Sequence, residues 1–415
     1  MKSSVLKILN NKKLLLIADQ GLFSGMSFLM TIVIARLFSP ELFGQYAAIM
    51  IAIYFVMNLT NSLVIQPLQV IIAKTSNKSN YLLFNLVQLC VIISLIVVIS
   101  FIAAEFIFSS FSFYNYYKQV LALLAAFLLH DYFRKISLAN SEVIKALVLD
   151  IAYVFSTATI LAFTFYADIS FSYFILLLAL AYVPAIALGL FTTKLINVRV
   201  SDWTQYMREH LNHGKWLLMS ATIQWWSSNL FVVMSGLYLG VEALGAFRLV
   251  QSLFGVINVF LQTFENYVLP NASRIYEVSA EQASSYLYNL NVKSILAFGT
   301  VLIGIFSFAE LLLKISVGQD YVPYAFVVRG MVILYFIIIA AYPIRLGIRL
   351  LLLNKIYLIG YVFTLIFSLI SFKFLLQQFE LTGAIAGLIV SQLILAGFWY
   401  SRLIKNNFRI WKSFM

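Results

Sequence analysis

Arg248, Gln251, Gly255, Asn258, Gln262 and Glu265 recur at spacings of 3, 4, 3, 4 and 3 within an otherwise apolar stretch. On an α-helix this spacing puts them on one stripe. Charge at membrane depth is costly and points into a bundle or a water-filled cavity, so a stripe with a guanidinium at one end and a carboxylate at the other does not face lipid. Amides and hydroxyls suit sugar hydroxyls, and a guanidinium grips phosphate through two parallel hydrogen bonds. The stripe reads as one wall of a polar path. Interhelical hydrogen bonding without a path is the alternative.

Weaker versions of the pattern occur elsewhere. Gln20, Ser24, Ser27 and Thr31 follow at spacings of 4, 3 and 4 beside Asp19, with Arg36 further along. Asn58, Asn61, Ser62, Gln66 and Gln69 form a second group, and Gln224, Ser227, Ser228 and Asn229 a third. The expectation is one cavity whose substrate-binding candidates are Arg248, Arg36, Gln251, Asn258, Gln262, Asn58, Asn61, Gln20 and Gln224. Arg36 and Arg329 serve either as phosphate ligands or as interfacial anchors that snorkel to the membrane surface. A carboxylate in an apolar setting can load and release a proton or cation. Asp19 and Glu265 are the candidates for such ion coupling, whereas Asp150 reads better as a static partner for a nearby base.

The elements that must position these residues follow from composition. Of 415 residues 62% are apolar and 11% charged, and the mean hydropathy is +0.95, against about 45 to 50% apolar in a soluble domain. An ordinary soluble protein is excluded. Apolar runs of about 20 residues give twelve expected helices. The first six lie near 14–36, 42–65, 81–108, 116–133, 143–166 and 171–193. The second six lie near 215–239, 244–270, 292–313, 324–350, 357–376 and 381–403. The fold class expected is an all-α integral membrane protein of two six-helix lobes, 1–193 and 215–415. They are joined by a cytoplasmic amphipathic linker, 194–214, and end in a basic tail.

The net charge of +12 is a topology signal, because the basic residues are scattered between apolar runs. With the N-terminus inside, the inner ends collect 22 of the 28 Lys and Arg, all except Arg36, Lys118, Arg248, Lys314, Arg329 and Lys373. Both termini are therefore expected in the cytoplasm, and the Lys-rich start followed by a long apolar run reads as a first span, not a cleaved signal. The single Cys90 allows neither an intramolecular disulfide nor a cysteine metal site. There is no phosphate loop, zinc-type His pair or nucleophile elbow, and His130, His210 and His213 have no convincing catalytic partner. No catalytic residue, metal ligand or cofactor is expected, apart from coupling to protons or sodium. Movement of a solute is favoured over catalysis. A glycan polymerase or acyltransferase, the alternative of another class, needs a sizeable outer element, and the outer connections are short.

A weak internal repeat appears at an offset of 201. Glu41-Leu42-Phe43-Gly44-Gln45-Tyr46 matches Glu242-Ala243-Leu244-Gly245-Ala246-Phe247, and each enters a helix ending near a proline, Pro67 or Pro270. Six helices per half is an even number, so the halves are expected in the same orientation about an axis along the membrane normal.

The opening Ala18-Asp19-Gln20-Gly21-Leu22-Phe23-Ser24-Gly25, continued by Ile34-Ala35-Arg36-Leu37-Phe38-Ser39-Pro40-Glu41-Leu42-Phe43-Gly44-Gln45-Tyr46, resembles bacterial polysaccharide flippases of the O-antigen type. These belong to the multidrug/oligosaccharidyl-lipid/polysaccharide exporter superfamily. Gly245-Ala246-Phe247-Arg248-Leu249-Val250-Gln251 and Leu269-Pro270-Asn271-Ala272-Ser273-Arg274 resemble the start and end of that family's eighth helix. The resemblance implies a V-shaped transporter with alternating access, in the bacterial inner membrane. The implied cargo is a polyprenyl-diphosphate-linked oligosaccharide, and membrane lipids and other polysaccharide assembly proteins are the implied partners, with no nucleic acid. It also implies cationic residues on the diphosphate, a role that falls on Arg248 and Arg36. A multidrug exporter of the same architecture is the alternative.

Overall fold

The computed structural model describes residues 12–106, 115–193 and 198–411. Lys2, Lys7, the connection at 107–114, the start of the expected linker at 194–197 and Lys412 lie outside the described residues. Among those described there is no strand.

The first half holds α1 (Lys12–Leu37), α2 (Pro40–Thr60), α3 (Gln66–Ile71), α4 (Lys78–Phe106), α5 (Tyr117–Ala139), α6 (Val143–Tyr166), α7 (Phe171–Ala181) and α8 (Val183–Thr192). The second holds α9 (Trp203–Leu239), α10 (Val241–Val278), α11 (Ala280–Ser307), α12 (Ala309–Ser316), α13 (Ala325–Leu350) and α14 (Asn354–Lys405). Nine stretches among the described residues are long and apolar enough to cross a membrane. One of them is α14, which leaves helical geometry at Glu380 (φ 49°, ψ −133°) and so contains both of the last two expected spans. The fourth and seventh expected spans are α5 and α9, of 23 and 37 residues, whose polar side chains lower their hydropathy. The structure is an all-α fold of membrane-crossing helices.

Side-chain chemistry sets the breaks. Pro40 opens α2, where its missing N–H costs nothing, and the Ser39 hydroxyl accepts from Leu42 N–H at 3.4 Å. Ser170 and Ser279 cap α7 and α11 in the same way. Pro184 divides the sixth span into α7 and α8 at Tyr182. The second span contains a π-helical turn, Asn61–Ile65, immediately before Pro67. Proline has no N–H for the carbonyl four residues back, which leaves Leu63 C=O without its helical donor. His210 Nδ1 supplies one at 3.2 Å, and the Tyr81 hydroxyl donates to His210 Nε2 at 2.6 Å. These bonds dock the beginning of α9 on α4 and the π turn. Residues 203–239 are one helix without a break at 214.

By contact the chain forms two compact units, Met1–Met30 with Ala52–Ala221, and Thr31–Ile51 with Thr222–Met415. In the first, α5 packs on α6, α7 and α8. In the second, α13 packs on α10, α11 and α14. The two glycines of the internal repeat meet inside the second unit. A Cβ on Gly245 would lie 2.9 Å from Gly44 Cα, and one on Gly44 would enter the Val241 carbonyl. The repeat therefore marks a helix crossing that only glycine permits. The outward surface is apolar, with Leu29, Ile99, Phe155, Ile303 and Ile370 all exposed, which suits a lipid surround.

Candidate functional site

A cavity of about 500 Å³ lies within the second unit, in the size range of small-ligand sites. From α9 it takes Gln224 and Ser228, and from α10 it takes Asn258, Gln262 and Glu265. From α13 come Tyr342, Arg345 and Arg349, and from α14 Tyr361, Gln392 and Trp399. Spacings of 3 and 4 on α10 and again on α13 turn these side chains toward one volume. Asn258 donates to the Tyr335 hydroxyl at 2.7 Å, and Gln224 to that of Tyr361 at 3.4 Å.

Glu265 is 6% exposed and anchors the charged end. The Tyr342 hydroxyl lies 2.9 Å from its Oε2 and 2.7 Å from the Leu261 carbonyl. Arg345 Nε approaches Oε2 to 3.7 Å, and Arg349 pairs with Oε1. Arg345 Nε is buried and has no hydrogen-bond partner. Two guanidiniums against one carboxylate leave this lining with a net charge of +1. Amides and phenols around a cationic end can hold a polyhydroxylated solute and an anion together.

The first unit holds a second buried charge cluster. Arg134, 6% exposed, donates from Nη2 to Asp19 Oδ2 at 2.5 Å and from Nε to Asp150 Oδ2 at 2.8 Å. Phe23 covers the guanidinium at 4.7 Å, and His130 Nε2 lies 3.5 Å from Asp150 Oδ1. Beside it Lys135 donates to Asp131 and to Asn61 Oδ1, both at 2.7 Å. Asp19 is thus a member of a carboxylate–guanidinium–carboxylate staple. Asp150 shares the Arg134 guanidinium with Asp19.

The sequence candidates separate accordingly. Gln224, Asn258, Gln262 and Glu265 share the cavity. Arg248 donates to Gln251 at 2.8 Å, and neither lines that cavity. Arg36 donates from Nε to the Ser316 carbonyl at 2.6 Å and from Nη2 to that of Ile315, so its fork closes the C-terminal end of α12. Arg329 pairs with Glu310 at 3.0 Å among exposed groups. Gln20, Asn58 and Asn61 belong to the first unit, where Gln20 donates to Ser24 at 3.1 Å and the Asn58 carbonyl accepts from Ser62 at 2.9 Å.

Arg134, Arg345 and Arg349 read in the sequence as inner-end topology charges. The expected fourth span ends at Phe133, whereas α5 runs to Ala139 and keeps Arg134 inside a helix. For α13 a signal did exist: Tyr342, Arg345 and Arg349 recur at spacings of 3 and 4, the same periodicity that singled out the α10 stripe.

Three solved structures show a similar fold. An inward-facing multidrug resistance MATE family transporter of the MOP superfamily superposes with a TM-score of 0.76 at 12% identity, over 95% of this chain and 96% of that one. The lipid II flippase MurJ, in an inward closed conformation, gives 0.73 at 12% identity, over 94% and 87%. A MOP superfamily transporter from Pyrococcus furiosus gives 0.62 at 13% identity, over 96% of each chain. At such identities the likeness establishes the fold alone. No curated protein matches the sequence. The family described as polysaccharide biosynthesis protein matches residues 33–326, well over half of the chain, and the chain therefore belongs to that family.

Proposed function

We propose that this protein is a flippase. It carries a polyprenyl-diphosphate-linked oligosaccharide from the cytoplasmic to the outer leaflet of a bacterial inner membrane by alternating access, with both termini in the cytoplasm. The observation that carries the reading is the cavity of the second unit, lined by Gln224, Asn258, Gln262, Gln392 and the phenols of Tyr342 and Tyr361. Paired donors and acceptors of this kind match sugar hydroxyls without demanding one sugar. Membership of a polysaccharide biosynthesis family supplies the glycan context. The MOP fold supplies the precedent for movement across a membrane.

Export of small cationic drugs is the competing function for this architecture. The charge of the cavity argues against it, since Glu265 is matched by Arg345 and Arg349 and a cation entering there meets net positive charge. The test is reconstitution of the full chain in vesicles loaded on one side with a fluorescent polyprenyl-diphosphate oligosaccharide, with transfer read by a membrane-impermeant quencher. Transfer above empty vesicles is expected. Asn258→Ala with Gln262→Ala should slow it at least tenfold while the protein stays folded. Absence of transfer, together with proton- or sodium-driven efflux of a cationic dye, overturns the proposal.

A further inference from the structure

We propose that Arg345 and Arg349 form the seat for the diphosphate of the lipid-linked cargo, and that Glu265 occupies this seat when cargo is absent, so that loading is an exchange of carboxylate for diphosphate. This rests on the flippase reading of the same cavity. The two arginines stand four residues apart on α13 and converge on one carboxylate. The match is incomplete. Arg345 Nε is buried, sits 3.7 Å from Glu265 Oε2 and makes no hydrogen bond. A buried guanidinium N–H without an acceptor is costly, and an incoming oxygen relieves it.

Charge points the same way. Two guanidiniums carry two positive charges, and Glu265 balances one of them. A diphosphate diester carries two negative charges and several acceptor oxygens, so it balances both and offers each fork a bidentate partner. The remaining cavity wall places amides and phenols beside this end, where a sugar joined to the diphosphate would extend. The arginine side chains are 37% and 45% exposed, so the seat opens to an entering ligand. By contrast Arg36 is spent on the carbonyls of α12.

The exchange predicts opposite effects from the two sides of the ion pair. Full-length protein in phosphatidylcholine nanodiscs is titrated with farnesyl diphosphate, with farnesol as the uncharged control and phosphatidylglycerol as the ordinary anionic headgroup. Arg345→Gln with Arg349→Gln should weaken farnesyl diphosphate at least tenfold. Glu265→Gln keeps the shape and a polar group for Tyr342 but removes the competing charge, and should tighten binding at least fivefold. Unchanged or weaker binding in Glu265→Gln, at an unchanged melting temperature, overturns the exchange. Parental affinity in the double arginine variant overturns the seat. Equal binding of farnesol, or equal competition by phosphatidylglycerol, overturns the assignment to diphosphate. The two proposals fail separately. Binding that follows these variants without any glycolipid transfer removes the flippase reading, and transfer that is indifferent to all three residues removes only the seat.

Discussion

Replacing Arg134 by Met leaves Asp19 and Asp150, which are 1% and 0% exposed, facing each other without a cation. At separations of 2.5 and 2.8 Å each contact is worth about 6 kcal/mol of attraction at an effective dielectric near 20. Much of that offsets the several kcal/mol needed to desolvate each ion. The measurable loss on removing one partner of a buried pair is therefore about 3–5 kcal/mol. At about 2–4 °C per kcal/mol for a folded unit of this size, the melting temperature falls by roughly 10 °C. Lys at 134 has the charge but not the fork that reaches two acids, so Arg134→Lys should fall between Met and the parent. The assay is the fraction of monodisperse protein after heating in detergent, followed by size-exclusion chromatography. The decisive control is the neutral variant with Asp19→Asn, Arg134→Met and Asp150→Asn. Replacing a whole buried ion cluster by neutral groups is often nearly free, so it should melt well above the single Met variant. Refutation would be a single Met variant within about 2 °C of the parent, or a neutral variant no more stable than Met alone.

Burial holds the His210 imidazole below its usual range, so the stability it gives to the docked start of α9 is present above about pH 6.5, the unfolded value, and declines as pH falls below it. The protection factors of residues 203–214 against hydrogen exchange, corrected for the intrinsic pH dependence of amide exchange, should fall from pH 7.5 to 5.5, and in His210→Gln this fall should vanish. Gly44→Ala forces a methyl into the Val241 backbone and should cost about 1–3 kcal/mol, whereas Gly299→Ala, where a Cβ meets nothing within 4 Å, should be tolerated; melting temperatures compare them. Arg36→Ala removes two donors from the C-terminal carbonyls of α12 and should lower stability by about 1 kcal/mol at this exposed site. Transport per folded molecule should stay at the parental level, and a transport defect as deep as that of the arginine pair on α13 would return Arg36 to the cargo path.

The helices were legible because apolar runs of membrane length leave little choice, and the glycine repeat was legible because two six-residue segments matched. Gly44 and Gly245 give that repeat a physical cause, since each removes the Cβ that would keep the other's helix away. The site was only half legible. Helical spacing found Asn258, Gln262 and Glu265 because they interrupt an apolar run. The partners of Glu265 escaped because Arg345 and Arg349 lie in the last two turns of α13, where a basic residue normally reports which side of the membrane it faces. Asp19 and Asp150 stand 131 residues apart in the chain, and only the fold shows that one guanidinium lies between them.

The two halves use the same position differently. Arg134 stands five residues before the end of α5, the fourth expected span of its half, and Arg345 five residues before the end of α13, the fourth of the other. In the first unit two acids take the fork of one arginine, and the guanidinium is closed off from solvent. In the second, two arginines share one acid and open into a cavity. Two carboxylates around one guanidinium leave the first cluster with surplus negative charge, so it has no attraction for an anion. A cluster with surplus positive charge and a buried N–H lacking a partner gains by binding an anion. Adding one carboxylate to the second cluster should therefore cancel its surplus. A second acid against the α13 pair, through Gln262→Glu, should stabilise the free protein and weaken diphosphate binding. Tighter binding in that variant would show that surplus positive charge is not what the cavity offers its cargo.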